Sequence, residues 1–189
     1  MATLRVPDKD QTITGYENVK AHLASIGIGY EIWKPAFELE RDATNEQVLE
    51  AFANEVEELK QQGGYVAADV INLHPDTPNL DTMLAKFSSE HWHDEDEVRF
   101  IIEGRGVFHI RPKDGSDVVA LEVEAGDLAR VPAGTWHWFD LCADKRIRAI
   151  RLFQDPSGWT PHYTESGVDK GYMPVCMGLS FIPTQLQNI

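Results

Sequence analysis

A mainly β fold, a small sandwich or barrel with an α-helical N-terminal portion, is what this sequence predicts. Three observations carry that reading. From Val98 onward, short apolar runs recur at roughly 8–12 residue spacing with turn residues between them. Before residue 87, the apolar positions fall mostly at helical rather than alternating spacing. The length of 189 residues, 42% hydrophobic and 25% charged, suits one soluble domain with a real core. The expected organisation is a single domain over 1–189, with a helix-rich portion at 1–87, a barrel core at 88–156 and a tail at 157–189.

The elements follow in chain order. Tyr16 to Ser25 is a short amphipathic helix, ended by Gly27 and Gly29, and Gly29 to Trp33 reads as a strand. Thr44-Asn45-Glu46-Gln47 fits a capping box, in which the Thr hydroxyl and the Gln side chain satisfy amides at a helix start. Val48, Phe52, Val56 and Leu59 then form one apolar stripe of a helix, which Gly63-Gly64 ends. Val70 to Leu73 is a strand, and Leu80 to Phe87 a short helix after Pro78. Val98 to Ile102 is a strand that breaks at Glu103-Gly104-Arg105-Gly106, so that Val107 to Ile110 pairs back on it. Lys113-Asp114-Gly115-Ser116 signals a hairpin turn. Val118 to Val123, Leu128 to Val131 and Arg146 to Phe153 complete the strands, separated by Ala125-Gly126-Asp127 and Pro132-Ala133-Gly134. The residues after Ser157 carry no clear pattern.

The chemistry concentrates in His91-Trp92-His93-Asp94-Glu95-Asp96-Glu97. Two imidazoles two apart share one face of a strand, because side chains alternate. A carboxylate just downstream can complete the face of a metal site, and a His/carboxylate set with open positions suits a divalent first-row metal. The Asp94–Asp96 run reads as a solvated turn ahead of Glu97. Pro132 and Gly134 turn the chain so that a later strand can present His137 beside the first two. Arg99 lies two residues past Glu97, on the same strand face. Arg151 sits between Ile150 and Leu152, a costly place for an unpartnered charge. His22, His74, His109 and His162 take structural readings, with His109 close enough to Val107 to enter the barrel.

His-x-His, Glu97 and Gly104, followed by Gly126, Pro132-x-Gly134 and His137, resemble the paired motifs of the cupin superfamily, small jelly-roll β-barrels that hold a metal with His and Glu ligands. Ala85 and Leu141 stand where that pattern has Gly and Asn. The longer blocks Glu95-Asp96-Glu97-Val98-Arg99-Phe100, Val131-Pro132-Ala133-Gly134-Thr135-Trp136-His137-Trp138-Phe139-Asp140, Ala149-Ile150-Arg151-Leu152-Phe153 and Pro156-Ser157-Gly158-Trp159 are similar to the acireductone dioxygenase family. Gly29-Tyr30-Glu31-Ile32-Trp33 extends that similarity into the first third.

The resemblance implies a cupin-type jelly roll in which His91, His93, Glu97 and His137 bind Fe²⁺ or Ni²⁺, with Co²⁺ or Mn²⁺ as substitutes. It implies an enediol substrate from methionine salvage, cleaved with O₂. Arg99 would then act on the substrate oxygens. Arg151, Phe87, Phe139 and Trp159 would line the substrate, although core packing serves the three aromatics equally well and a carboxylate partner would serve Arg151.

Charge and cysteine content narrow the partners. The balance of 31 acidic to 17 basic residues, a net −14, argues against nucleic acid and anionic membranes. Cys142 and Cys176 are too few for a disulfide framework and read as inert thiols in a reducing compartment. The N-terminal residues lack the apolar run of a signal peptide, which makes the cytoplasm the expected location, and a monomer is the expected state.

Overall fold

The computed structural model describes residues 1–34, 39–40 and 42–177. In chain order, β1 (Thr3–Val6) and β2 (Gln11–Ile13) flank a 3-10 turn at Pro7–Lys9 and precede α1 (Tyr16–Ser25). Next come β3 (Gly29–Ile32), α2 (Asn45–Ala51), α3 (Ala53–Gly63), β4 (Ala67–Leu73) and α4 (Leu80–Ala85). Then follow β5 (His91–Trp92), β6 (Glu97–Arg111), β7 (Val119–Glu124), β8 (Asp127–Val131), β9 (Trp136–Leu141), β10 (Ile147–Phe153) and β11 (His162–Tyr163), with a last 3-10 turn at Val168–Gly171. The fold is mainly β, as the strand spacing predicts. No described helix is long and apolar enough to cross a membrane.

All strand pairs are antiparallel, and the long strand β6 belongs to two sheets at once. The first sheet runs β11-β5-β9-β6-β7-β1-β2 and the second β4-β10-β6-β8-β3. Among the described residues the pairing path does not close into a ring. Here the structure corrects the sequence reading. Val107 to Ile110 does not fold back on Val98 to Ile102; the chain runs straight through Glu103–Gly106 as one strand. Gly104, at φ +80°, bends the strand instead of reversing it, and a Cβ there would collide with the Arg146 carbonyl. A register shift between Arg148 and Ala149 of β10 absorbs the bend. The reversal comes at Lys113–Ser116, where the Asp114 carboxylate accepts from the Ser116 amide at 2.9 Å.

Two apolar layers result. Leu4, Phe108, Ile110, Leu121, Val123, Ala129, Val131 and Phe139 fill the space between the sheets. Val98, Phe100, Leu128, Ile150 and Leu152 face outward from the second sheet and are covered by Val48, Phe52, Val56 and Leu59. The predicted stripe is therefore buried, but on two helices. Phe52, at φ −116° and ψ 20°, breaks the run between α2 and α3 while its ring lies 4.6 Å from that of Phe100. The capping box is present: the Gln47 amide donates to Thr44 Oγ1 at 3.3 Å and the Thr44 amide to Gln47 Oε1 at 2.8 Å.

The tail also departs from expectation. Residues 164–177 cross the outer face of the first sheet, and Cys176 forms a disulfide with Cys142, just past the end of β9, with their Cα atoms 5.9 Å apart; the rest of the expected tail, 178–189, lies outside the described residues. The two cysteines are thus partners rather than inert thiols. Their 34-residue separation hid a pairing that only the strap-like path of the tail creates.

Candidate metal centre

Alternation along the strands decides which residues face the space between the sheets. Because Val98 and Phe100 turn outward to the helices, Glu97, Arg99 and Ile101 turn inward. On β9, His137 and Phe139 do the same, and His91 of β5 lies directly opposite His137 in register. His93 follows β5 immediately. His91, His93, Glu97 and His137 are each at most 2% exposed, and their ligating atoms lie within 4.8 Å of one another.

Each imidazole is oriented the same way. His91 Nδ1 meets Ser89 O at 2.7 Å, His93 Nδ1 meets Thr160 O at 2.9 Å, and His137 Nδ1 meets Thr135 O at 2.8 Å. A carbonyl can only accept, so each Nδ1 carries the proton and each Nε2 presents a lone pair. Those lone pairs converge on a carboxylate: Glu97 Oε2 lies 3.1 Å from His93 Nε2 and 3.3 Å from His137 Nε2, while His91 Nε2 has no hydrogen-bond partner among the described residues. Four buried acceptors facing one point repel unless a cation stands among them. This is the donor set and the outer hydrogen bonding that a divalent metal requires.

Electrostatics agree. Burial would raise the Glu97 carboxyl, but the Arg99 guanidinium beside it works against that, and the group is held well below the usual carboxylate range. Burial, then the neighbouring His137, pushes His91 down to about 3, so it stays neutral and ready to ligate. Arg99 Nε lies 2.6 Å from Glu97 Oε1, the oxygen turned away from the imidazoles. The carboxylate is thus divided between a cation site on one oxygen and a guanidinium on the other.

Beside this cluster lies a cavity of about 540 Å³. Its walls include Phe87, Arg99, Phe139, Arg151 and Trp159. The Arg99 guanidinium stands 4.4 Å from the Phe139 ring centre and 5.4 Å from that of Trp159. Arg151 has the carboxylate partner that its apolar setting demands: Asp69, across the sheet on β4, accepts from Nε at 2.9 Å and from Nη2 at 2.6 Å.

Several neighbours were not legible in the sequence. Asp69, Ile71 and Leu73 share a face of β4, but the apolar run marks that strand only from Val70. Met83 and Leu84 come from the short α4, and Thr160 and Tyr163 from the unpatterned tail. The Asp94–Asp96 turn is more than a solvated loop. Asp96 accepts from the Ala133 amide at 3.0 Å and the Tyr65 hydroxyl at 2.9 Å, and Glu95 accepts from the amides of Gln154 and Asp155, each at 2.9 Å. These bonds fix the approach to Glu97.

Residues 7–161 match the sequence pattern of the ARD/ARD′ family. The chain belongs to that family. It is 40% identical over 177 residues to an acireductone dioxygenase of Picosynechococcus sp., covering 94% of this chain and all of the relative. It is 45% identical over 146 residues to that of Parvibaculum lavamentivorans, covering 77% and 78% of the two chains. Among solved structures, the acireductone dioxygenase from Bacillus anthracis superposes with a TM-score of 0.79 at 37% identity, covering 86% of this chain and 98% of that one. That structure holds a cadmium ion in its active centre. Family membership makes this chain an enzyme of the dioxygenase class, and it agrees with the donor set in pointing to a divalent metal. His109, by contrast, faces away from the cavity, with its ring stacked 4.8 Å from Trp138 beneath the tail.

Proposed function

We propose that this enzyme cleaves acireductone, the enediol 1,2-dihydroxy-3-keto-5-methylthiopentene, with O₂ in methionine salvage. His91, His93, Glu97 and His137 hold one Fe²⁺ or Ni²⁺. A divalent ion there supplies Lewis acidity, lowering the pKa of a bound enediol and making its anion available at neutral pH. The enediol dianion itself carries the electrons that O₂ accepts. With iron the products are formate and 2-keto-4-methylthiobutyrate. With nickel they are formate, carbon monoxide and 3-methylthiopropionate.

The observation that carries the reading is the junction of two environments: three Nε2 lone pairs and a divided carboxylate on one side of Arg99, and a cavity with an apolar wall on the other. Arg99 sits at that junction. Its charge offsets the carboxylate of Glu97, so the loaded site keeps a local positive excess inside a chain of net −14. A dianion is therefore drawn in against the overall field. The planar guanidinium, over the Phe139 ring and ion-paired with Glu97, offers its N–H groups to the substrate oxygens. Arg151 is held by Asp69, so its part is to shape the cavity and support Arg99, which it faces directly in register. Ile71, Leu73, Met83, Leu84 and Phe87 offer the methylthioethyl chain an apolar wall and limit water around the reactive enediol.

The test is O₂ uptake with the enediol substrate in protein stripped of metal and reloaded separately with iron and nickel. The expected result is uptake only after reloading, with carbon monoxide from the nickel form alone. Undiminished turnover in stripped protein, or substrate binding without O₂ uptake for every metal tried, overturns the reading.

A further inference from the structure

We propose that the Cys142–Cys176 disulfide is a redox clasp on the tail whose root lines the active-site cavity. Its reduction frees the tail from the outer face of the first sheet and loosens Trp159–Thr164, which help to close the cavity.

The tail is one strap with two anchors. Its root is built into the centre: Thr160 O orients His93, Tyr163 pairs with His91 across β11 and β5, and Trp159 Nε1 donates to Asp96 O at 3.1 Å. Glu90, buried and bound by Arg111 at 2.6 and 2.8 Å, also takes the hydroxyls of Thr164 and Ser166. The far end lies over Arg5, His109, Glu122 and Trp138. Tyr172 packs its ring 5.9 Å from that of Trp138 and donates to Asp8 at 2.6 Å, Val175 O accepts from Arg5, and the Met177 amide donates to Glu122.

Among the described residues, few apolar contacts hold this far end. Met173, Val175 and Met177 are 77%, 43% and 60% exposed, so the side chains that could have buried apolar area point to solvent. A segment fixed by a handful of polar contacts lies at the low-stability end of a fold and opens locally unless it is tied. The disulfide is the covalent tie, and it joins the tail to the strand that carries His137. Cys142 and Cys176 are the only cysteines in the chain, so no other pairing competes.

The sulfurs differ in access: Cys142 is 2% exposed, whereas Cys176 is only partly covered. A thiolate of an external dithiol attacks Cys176 Sγ. The S–S bond breaks, and Cys142 leaves as a thiolate and takes a proton. The second thiol of the reductant then displaces Cys176 as a thiol, and the dithiol becomes a disulfide, having given two electrons.

The experiment uses the full-length, metal-loaded protein and does not need its substrate. Thiols are titrated, and amide hydrogen exchange is followed over 159–177, before and after dithiothreitol. Because dithiols also bind divalent metals, Cys176→Ser and Cys176→Ala serve as thiol-free counterparts of the opened state. Untreated protein is expected to show no free thiols, and reduced protein two. Amides from Thr164 to Tyr172 should exchange about tenfold faster in reduced protein and in both variants, with a smaller gain at Trp159–Tyr163. Two free thiols that resist oxidation in untreated protein overturn the clasp. Faster exchange that stops at Gly167 overturns its link to the cavity.

Discussion

The two faces of the first sheet bury histidines equally well and use them in opposite ways. His137 and Trp138 are neighbours on β9 and pair with Ile110 and His109 of β6. His137 faces the space between the sheets, has Nδ1 tied to a backbone carbonyl and aims Nε2 at Glu97. His109, one step away and fully buried, has neither ring nitrogen hydrogen-bonded among the described residues and stacks flat on Trp138. Burial alone therefore does not distinguish a ligand from a filler. What distinguishes them is the fixing of one nitrogen by an acceptor, so that the other is left as a directed lone pair.

The strongest way to break this comparison is to remove ligands. His93→Ala and Glu97→Ala are expected to lose their metal by elemental analysis and to reduce O₂ uptake to that of stripped protein. His109→Ala should keep both. If His93→Ala retains a full metal complement, the convergence of lone pairs is not the metal site. The next effect is on stability. A ligand bound only by the native state, at about a thousandfold above its Kd, adds about 4 kcal/mol, and the four inward-facing acceptors lose their common partner when it goes. Chelation should lower the unfolding midpoint in wild type and leave it unchanged in Glu97→Ala. Third is Arg99→Met, which keeps the apolar stem among Phe87, Phe139 and Trp159 but loses the guanidinium. Losing charge-assisted hydrogen bonds worth about 1.5–3 kcal/mol should lower kcat/KM by roughly ten- to a hundredfold, while the metal remains bound.

The inner face was largely legible in the sequence, and the outer face was not. His91, His93, Glu97, Arg99 and His137 are close in sequence or fixed by strand alternation, and alternation is the most local rule a β-protein obeys. Arg151 announced a missing partner by its apolar setting, but Asp69 could not be named, because the pairing of β10 with β4 joins residues about eighty positions apart. The turn at Glu103–Gly106 misled for a related reason: two glycines signal flexibility, and whether they reverse a strand or bend it depends on the partner strands, here β10, against which β6 carries one extra residue at Ile102. The helix stripe from Val48 to Leu59 showed which residues are buried but not the break at Phe52, which follows from packing on Phe100. The disulfide and the covering of His109 depend on where a patternless tail lies, and no local periodicity encodes that.

The smallest predicted effect concerns His109 itself. Burial, with a further push from Arg5, lowers its pKa from 6.5 to about 4. The unfolded chain therefore takes up a proton on this ring at a higher pH than the native chain does. The ring costs no proton-linked stability above about pH 6.5; the loss grows as pH falls toward 4 and is constant below that, at about 3 kcal/mol in all. His109→Phe keeps a flat ring against Trp138 and removes both unpartnered nitrogens. Urea unfolding of metal-loaded protein at pH 7 and pH 5 should show that wild type loses about 2 kcal/mol more than the variant over that interval. At pH 7 the variant should be the more stable by about 1 kcal/mol or more, since two buried polar atoms no longer go unsatisfied. A variant with the same pH dependence as wild type would mean that His109 reaches solvent beneath the tail. The outer face would then be open where the inner face is closed, and the contrast between the two histidines would be one of access rather than of orientation.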